Sequence, residues 1–309
     1  MNSKVKNRQP YRIKTISEYH QLKGLSKPEH PMVSVIHLDE MEIASTKQTS
    51  WVFDFYSIAL KRNFDSKVKY KYGQQTYDFD EGIMFFIAPN QVFSVQTDNS
   101  YQLSGWMLLI HPDFLLQTSL LKIIKQYEYF NYLANEALHL SGKEEQTIIN
   151  IFKSIQQEYL SNIDKFSQPV IINQIELLLN FSDRFYNRQF ITRKINNNQI
   201  LTRLEEILED YFNNESLSKR ELPSVQNIAK SINVSPNYLS SLLKVLTGQS
   251  TQQHIHDKLI EKAKEKLSMT NLSISEIAYD LGFEHSQSFS KMFKIKTSIS
   301  PMKFRESFN

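Results

Sequence analysis

The stretch Ile277-Ala278-Tyr279-Asp280-Leu281-Gly282-Phe283, with Phe289-Ser290-Lys291-Met292-Phe293-Lys294 after it, decides how the C-terminal part of this chain folds. A small alanine on a short helix, a tight turn at Gly282 and a second helix with apolar Phe289 and Phe293 predict a helix-turn-helix. Alanine suits that motif because it lets the two helices approach closely. The pattern occurs a second time, upstream: Ile228-Ala229, then Val234-Ser235-Pro236, then Leu239 and Leu243. One helical hairpin of this kind is a weak signal, whereas two copies joined by a single amphipathic helix are a strong one. The joining helix is predicted from Thr251 to about Met269, where Ile255, Leu259, Ala263 and Leu267 form one stripe. Its length, on the order of 27 Å at about 1.5 Å per residue, suits two recognition helices about one DNA turn, roughly 34 Å, apart.

Each second helix separates into two faces. In the first copy Ser235 is a predicted cap and Pro236 suits the opening turn. Leu239, Leu242, Leu243 and Leu246 then form the buried stripe. Asn237, Ser240, Ser241 and Lys244 fall at i, i+3, i+4 and i+7 on the opposite side. In the second copy Phe289, Met292 and Phe293 point inward, while Gln287, Lys291 and Lys294 share an outer face. Asn, Gln, Ser and Lys suit base edges or phosphates in a major groove. A single polar stripe is more often a solvated helix face, but duplication of the stripe and of its supporting core reverses that preference. Ser273-Ile274-Ser275-Glu276 has the spacing of a capping box opening the second motif. From Ser286 to Arg305 the charges are Lys291, Lys294, Lys296, Lys303 and Arg305 with no acid among them, a basic end suited to phosphates.

On these residues the segment from about Gln199 to Asn309 resembles the DNA-binding domain of the AraC/XylS family of bacterial transcription regulators. Ser235-Pro236-Asn237-Tyr238-Leu239, Thr247-Gly248-Gln249-Ser250, Lys258-Leu259 with Ala263, Ser300-Pro301 and Phe304-Arg305 also carry the likeness. The resemblance implies base contacts at Asn237, Ser240 and Ser241 in the first helix and at Gln287, Ser288 and Lys291 in the second. It implies double-stranded promoter or operator DNA as the partner, with RNA polymerase as a further one. Lys258 and Lys291 stand where the family usually has Arg, and lysine lacks the bidentate fork that reads guanine. Ser298 replaces a usual Gly, so the turn there is expected to avoid a strongly left-handed backbone. The Ser240-Ser241 pair suggests that the first motif contributes affinity and positioning more than discrimination.

Composition sets limits on the rest. A chain of 309 residues is ample for two domains. The absence of cysteine excludes disulfides, thiol catalysis and Cys-bearing metal sites. The net charge of +3 is mild, so nucleic-acid binding rests on local charge distribution. Met1 to Ile16 is polar and basic without an apolar core, unlike a secretory signal. No apolar run approaches ~20 residues, so no membrane span and a cytoplasmic location are expected.

The expected fold class is α+β, with an N-terminal β-barrel or jelly roll ahead of the all-α C-terminal domain. Candidate strands are Met32–Leu38, Trp51–Leu60, Lys67–Tyr72, Ile83–Ala88, Val92–Gln96 and Leu103–Ile110, with turn residues between them at short intervals. Gly82-Ile83-Met84-Phe85-Phe86-Ile87-Ala88-Pro89-Asn90 resembles a hairpin of the cupin-like sensor domain common among these regulators, which implies a small-molecule effector. Alternation makes Phe53, Phe55, Tyr70, Tyr72 and Trp106 candidates for an effector pocket, although most aromatic rings in such a domain belong to its core. Metal-dependent cupins need a His-x-His pair, and none occurs between Pro31 and His111. His254 and His256 lie on a helix, where i and i+2 diverge by about 200°. No catalytic residue, metal or cofactor is therefore expected, and the chain reads as a non-enzyme.

Between these regions lie amphipathic stretches at Asp113 to about Phe130, Lys143 to Tyr159 and Val170 to Tyr186. Glu144-Glu145 and Glu205-Glu206 are expected as solvated faces. The apolar residues of Val170 to Tyr186 suggest packing on two sides, and the resemblance implies a homodimer formed through such helices. The expected organisation is a cupin-like domain at 1–112, a helical dimerisation section at 113–190, a linker at 191–199 and the DNA-binding domain at 200–309. The whole reads as an effector-controlled, sequence-specific transcription regulator. A regulator without a ligand, or a cupin enzyme fused to a DNA-binding domain, are the alternatives.

Overall fold

A computed structural model describes residues 10–41, 50–62, 70–72, 75–77, 82–94, 104–133, 136–161, 164–192, 194–213 and 222–308. The chain divides into two compact units, Met1–Gln189 and Phe190–Asn309. The first holds β1 (Tyr11–Ile13), α1 (Ile16–Leu22), β2 (Val33–His37), β3 (Ser50–Phe53), β4 (Tyr56–Arg62), β5 (Tyr70–Tyr72) and β6 (Gln75–Tyr77). It continues with β7 (Ile83–Ile87), β8 (Val92–Ser94), β9 (Ser104–Ile110), α2 (Leu120–Ile123), β10 (Leu138–His139), α3 (Gly142–Tyr159) and most of α4 (Ser167–Thr192).

Strand β4 is buried over Tyr56–Leu60 because neighbours cover both of its faces. It pairs antiparallel with β7 and β9 in a five-stranded sheet of order β10-β7-β4-β9-β2. Side chains alternate across that sheet. On one face Trp106 stacks on Phe152 of α3 with centroids 5.9 Å apart, and Phe86 meets Tyr129 and, on α4, Tyr186. On the other, Ile36 and Leu109 join Ile13, Ile16, Tyr19, Phe53 and Phe55 in a second core, which brings in α1 and the three-stranded sheet β1-β3-β8.

The barrel or jelly roll expected here is not confirmed as a closed barrel. Among the described residues the strands form three separate sheets, and the five-stranded one is open at β2 and β10. The stretch Trp51–Leu60, expected as one strand, breaks at Asp54. The Asp54 backbone N–H donates to the Ile13 carbonyl, and its carboxylate pairs with Arg12 at 2.7 Å. The chain therefore passes from the small sheet to the large one, and helices rather than further strands cover the outer face of the latter. The helix expected from Asp113 to Phe130 is a series of short turns, interrupted where Gln117 has φ of 64° and Tyr127 is extended. Glu144 and Glu145 are likewise not solvated. Glu144 takes Arg188 at 2.6 Å, and Glu145 pairs with Arg62 and accepts from the Gly82 N–H, so both carboxylates tie α3 to other elements.

The second unit holds α5 (Lys194–Asn213), α6 (Val225–Ile232), α7 (Pro236–Thr247), α8 (Thr251–Met269), α9 (Ile274–Asp280), α10 (Ser286–Thr297) and α11 (Pro301–Glu306). The stretch expected as a linker is helical on both sides of Arg193, with the unit boundary beside it at Gln189. One apolar core joins Leu204 and Leu208 of α5 to Leu239 and Leu243 of α7, Leu259 and Ala263 of α8, and Phe289 and Phe293 of α10.

Candidate nucleic-acid interface

Helices α6 and α7 form one helix-turn-helix, and α9 with α10 forms the other. Ala229 and Ala278 are both fully buried where the paired helices meet. One backbone hydrogen bond closes each turn in the same way: Val234 N–H to the Ala229 carbonyl at 3.0 Å, and Phe283 N–H to the Ala278 carbonyl at 2.9 Å. Both turns need a left-handed residue. Asn233 supplies it in the first, with φ of 62°, and Gly282 in the second, with φ of 91°. Asparagine tolerates that region because its short polar side chain bonds locally, and glycine because it has no Cβ.

The local signals position the recognition helices. The Ser235 hydroxyl accepts from the Tyr238 N–H, with Pro236 in the first turn of α7. Ser273 and Glu276 make the reciprocal capping box at the start of α9, and those backbone and hydroxyl hydrogen bonds hold the Glu276 carboxyl below its usual pKa. Helix α8 begins at Thr251 and ends at Met269, as its apolar stripe predicts. Lys258 on α8 reaches Glu209 at 2.7 Å and Glu261 at 2.8 Å, and hydrogen bonds to these two carboxylates raise its pKa. A point charge suffices for that clamp on α5.

The residues expected to touch DNA are not equally presented. On α10 Gln287, Ser288, Lys291 and Lys294 are all exposed along one side, and Lys303 is exposed on α11. On α7 Lys244 is exposed, but Asn237, Ser240 and Ser241 are half-buried. The Ser240 hydroxyl lies 3.1 Å from that of Thr251, a fully buried residue opening α8. Ser240 thus meets the joining helix through its hydroxyl. The Arg305 guanidinium donates to the carbonyls of Leu267 at 3.3 Å and Leu272 at 2.6 Å, at the end of α8. Lys296 is similarly engaged, with Asp257 at 2.8 Å.

Two features escaped the sequence. Tyr238 of α7 packs edge-on against Phe190 with centroids 5.2 Å apart, a contact between residues distant along the chain. Ser298 does adopt the left-handed backbone it was expected to avoid, with φ of 67°, because its N–H closes α10 onto the Lys294 carbonyl at 2.8 Å. Gly248 ends α7 in the same way with φ of 77°, its N–H on the Lys244 carbonyl.

In the first unit, Phe53 and Phe55 stack with centroids 4.9 Å apart inside the second core. Trp106 lies on the opposite face of the five-stranded sheet, against α3, so it shares no cavity with them. Tyr70 and Tyr72 pair with β6 through the backbone, and their side chains lie outside the described residues. Among the described residues no group of three or more His, Asp and Glu is placed to hold a metal ion, and no helix is long and apolar enough to cross a membrane. His254 meets Thr247 at 2.9 Å and His256 meets Gln252 at 2.8 Å, each on its own side of α8.

Residues 228–307 match a family model described as a helix-turn-helix domain. An HTH-type transcriptional regulator from the cgkA 5' region of Pseudoalteromonas carrageenovora is 31% identical over 116 residues, 38% of this chain and 64% of that protein. The Msm operon regulatory protein of Streptococcus mutans is 37% identical over 82 residues, 26% of this chain and 30% of the relative. The chain therefore spans less than two thirds of the length of either. The C-terminal domain of AraT, a response regulator from Geobacillus stearothermophilus, is 30% identical with a TM-score of 0.30, covering 34% of this chain and 84% of that one. The matched segment, residues 228–307, is a helix-turn-helix domain of the AraC type.

Proposed function

We propose that this protein is a DNA-binding transcription regulator whose two helix-turn-helix motifs enter successive major-groove segments of a promoter. The duplicated turn, with the same buried alanine and the same closing hydrogen bond in each copy, carries this reading. It sets two recognition helices on one core with α8 between them. On α10, Gln287, Ser288 and Lys291 meet base edges, while Lys294 and Lys303 on α11 meet phosphates. On α7, Asn237 and Ser241 approach the bases and Lys244 a phosphate, with Ser240 holding the helix in place.

The first unit acts as a cupin-like sensor and dimerisation module. Helix α4 supports the second role, since Val170 and Leu177 are exposed along one stripe, with Asn173 between them and Asn180 one turn beyond. Apolar and Asn positions at this spacing suit a seam with a second copy of the helix. A small-molecule effector would enter beside Phe53 and Phe55, on the inner face of the large sheet. It regulates only if it prefers one arrangement of the protein over another.

The test is to incubate the purified protein with fragmented genomic DNA and sequence what it retains. Enrichment of two short motifs about one helical turn, roughly 34 Å, apart is the expected outcome. Retention that falls with salt but selects no sequence would reduce the protein to a general polyanion binder.

A further inference from the structure

Asp257 sits on α8, between the two recognition helices. Its Oδ2 accepts from Gln249 Nε2 at 3.0 Å, and its Oδ1 takes Lys296 Nζ at 2.8 Å. Gln249 follows the left-handed Gly248 that ends α7, and Lys296 lies in the last turn of α10. One carboxylate therefore links the C-terminal ends of both recognition helices, one through each oxygen. The two helices also share one apolar core, which packs them together. The charge-assisted hydrogen bonds add a directional link between their C-terminal ends.

We infer that Asp257 is a positioning residue that sets the spacing between the two recognition helices, and so determines which spacer length between two DNA half-motifs the protein accepts. The inference rests on the DNA-binding reading above. The bridge also engages Lys296, which keeps that lysine from acting as a free phosphate contact. Asp257 and Lys296 are partly exposed, their side chains 44% and 31% accessible, so the bridge is a modest one. Its removal should leave affinity for the best site nearly unchanged and reduce discrimination between spacers by about two- to fivefold, the range an exposed ion pair supplies.

The experiment takes the full chain and the motif pair it retains from genomic DNA, rebuilt with the spacer a base pair shorter or longer. Wild-type protein should prefer one spacer, and Asp257→Ala should flatten that preference. Lys296→Ala removes the other half of the bridge without releasing a lysine, and should flatten it as well. Lys303→Ala, outside the bridge, should weaken binding equally at every spacer. Thermal melting of each variant separates loss of spacing from loss of fold, and Gln249→Ala replaces Asp257→Ala should the latter not fold. Folded bridge variants with the wild-type spacer profile would overturn the inference while leaving DNA binding intact, as would a wild-type protein indifferent to spacer. A wild-type protein that retains no DNA would overturn the DNA-binding reading and the bridge with it.

Discussion

The two helix-turn-helix motifs share a scaffold and differ in what they present. Both bury an alanine, both close the turn with one backbone hydrogen bond, and both recognition helices end on a left-handed residue. Yet α7 is tied down on several sides, by Tyr238 against Phe190, by Ser240 against Thr251 and by Thr247 against His254. Helix α10 has an N-cap, His285, with no side-chain cap hydrogen bond, and keeps Gln287, Ser288, Lys291 and Lys294 exposed. Equal architecture thus presents unequal surfaces. On the proposed reading the first motif would anchor and orient, and the second would discriminate. Divergence of this kind is easy after duplication, because the core fixes the helix while the outer face is free to change.

The sharpest test of the shared scaffold is to overfill it. Ala229→Leu and Ala278→Leu each force a larger side chain into a fully buried helix contact, and each should destabilise the C-terminal unit by about 1–3 kcal/mol. Urea unfolding followed by circular dichroism measures both. Similar losses confirm that the motifs depend on the same close approach, and tolerance at one position would show that its helices can separate.

Next in size is the contrast in DNA reading. Lys291→Ala should weaken binding by about 1–3 kcal/mol and relax preference at one base position. Ser240→Ala should leave sequence preference unchanged, since its hydroxyl already faces Thr251. Equal loss of preference in the two variants, measured on a library of single-base substitutions, would make α7 a full reading helix and erase the proposed division.

The smallest effect concerns the left-handed residues. Ser298 carries a Cβ at φ of 67°, where glycine is favoured. Ser298→Gly should therefore raise stability by roughly 0.5–1 kcal/mol, the relief of backbone strain less the added freedom of the unfolded chain. Asn233→Gly should gain less, because asparagine already tolerates this region. Thermal melting decides it, and a lower melting point for Ser298→Gly would mean that the serine side chain contributes more than its backbone loses.

The sequence by itself determined the features that are local. Ser235 and Ser273 mark helix starts, Gly282 marks a turn, and the apolar stripe of α8 gives both its ends, because capping, φ preference and periodicity act within a few residues. Strands β2, β7 and β9 of the first unit were legible as well, as short apolar runs between turn residues. Tertiary structure alone decided what depends on partners far along the chain. The break at Asp54 needs Arg12 and Ile13, the role of Arg305 needs the carbonyls of Leu267 and Leu272, and Asp257 acquires its two neighbours only when α7, α8 and α10 assemble. Trp106 and Phe53 look alike as aromatic residues on strands, and only the stacking of sheets and helices sends them into opposite cores. A side chain's type constrains which interactions it can make, but long-range packing determines which groups come close enough to make them.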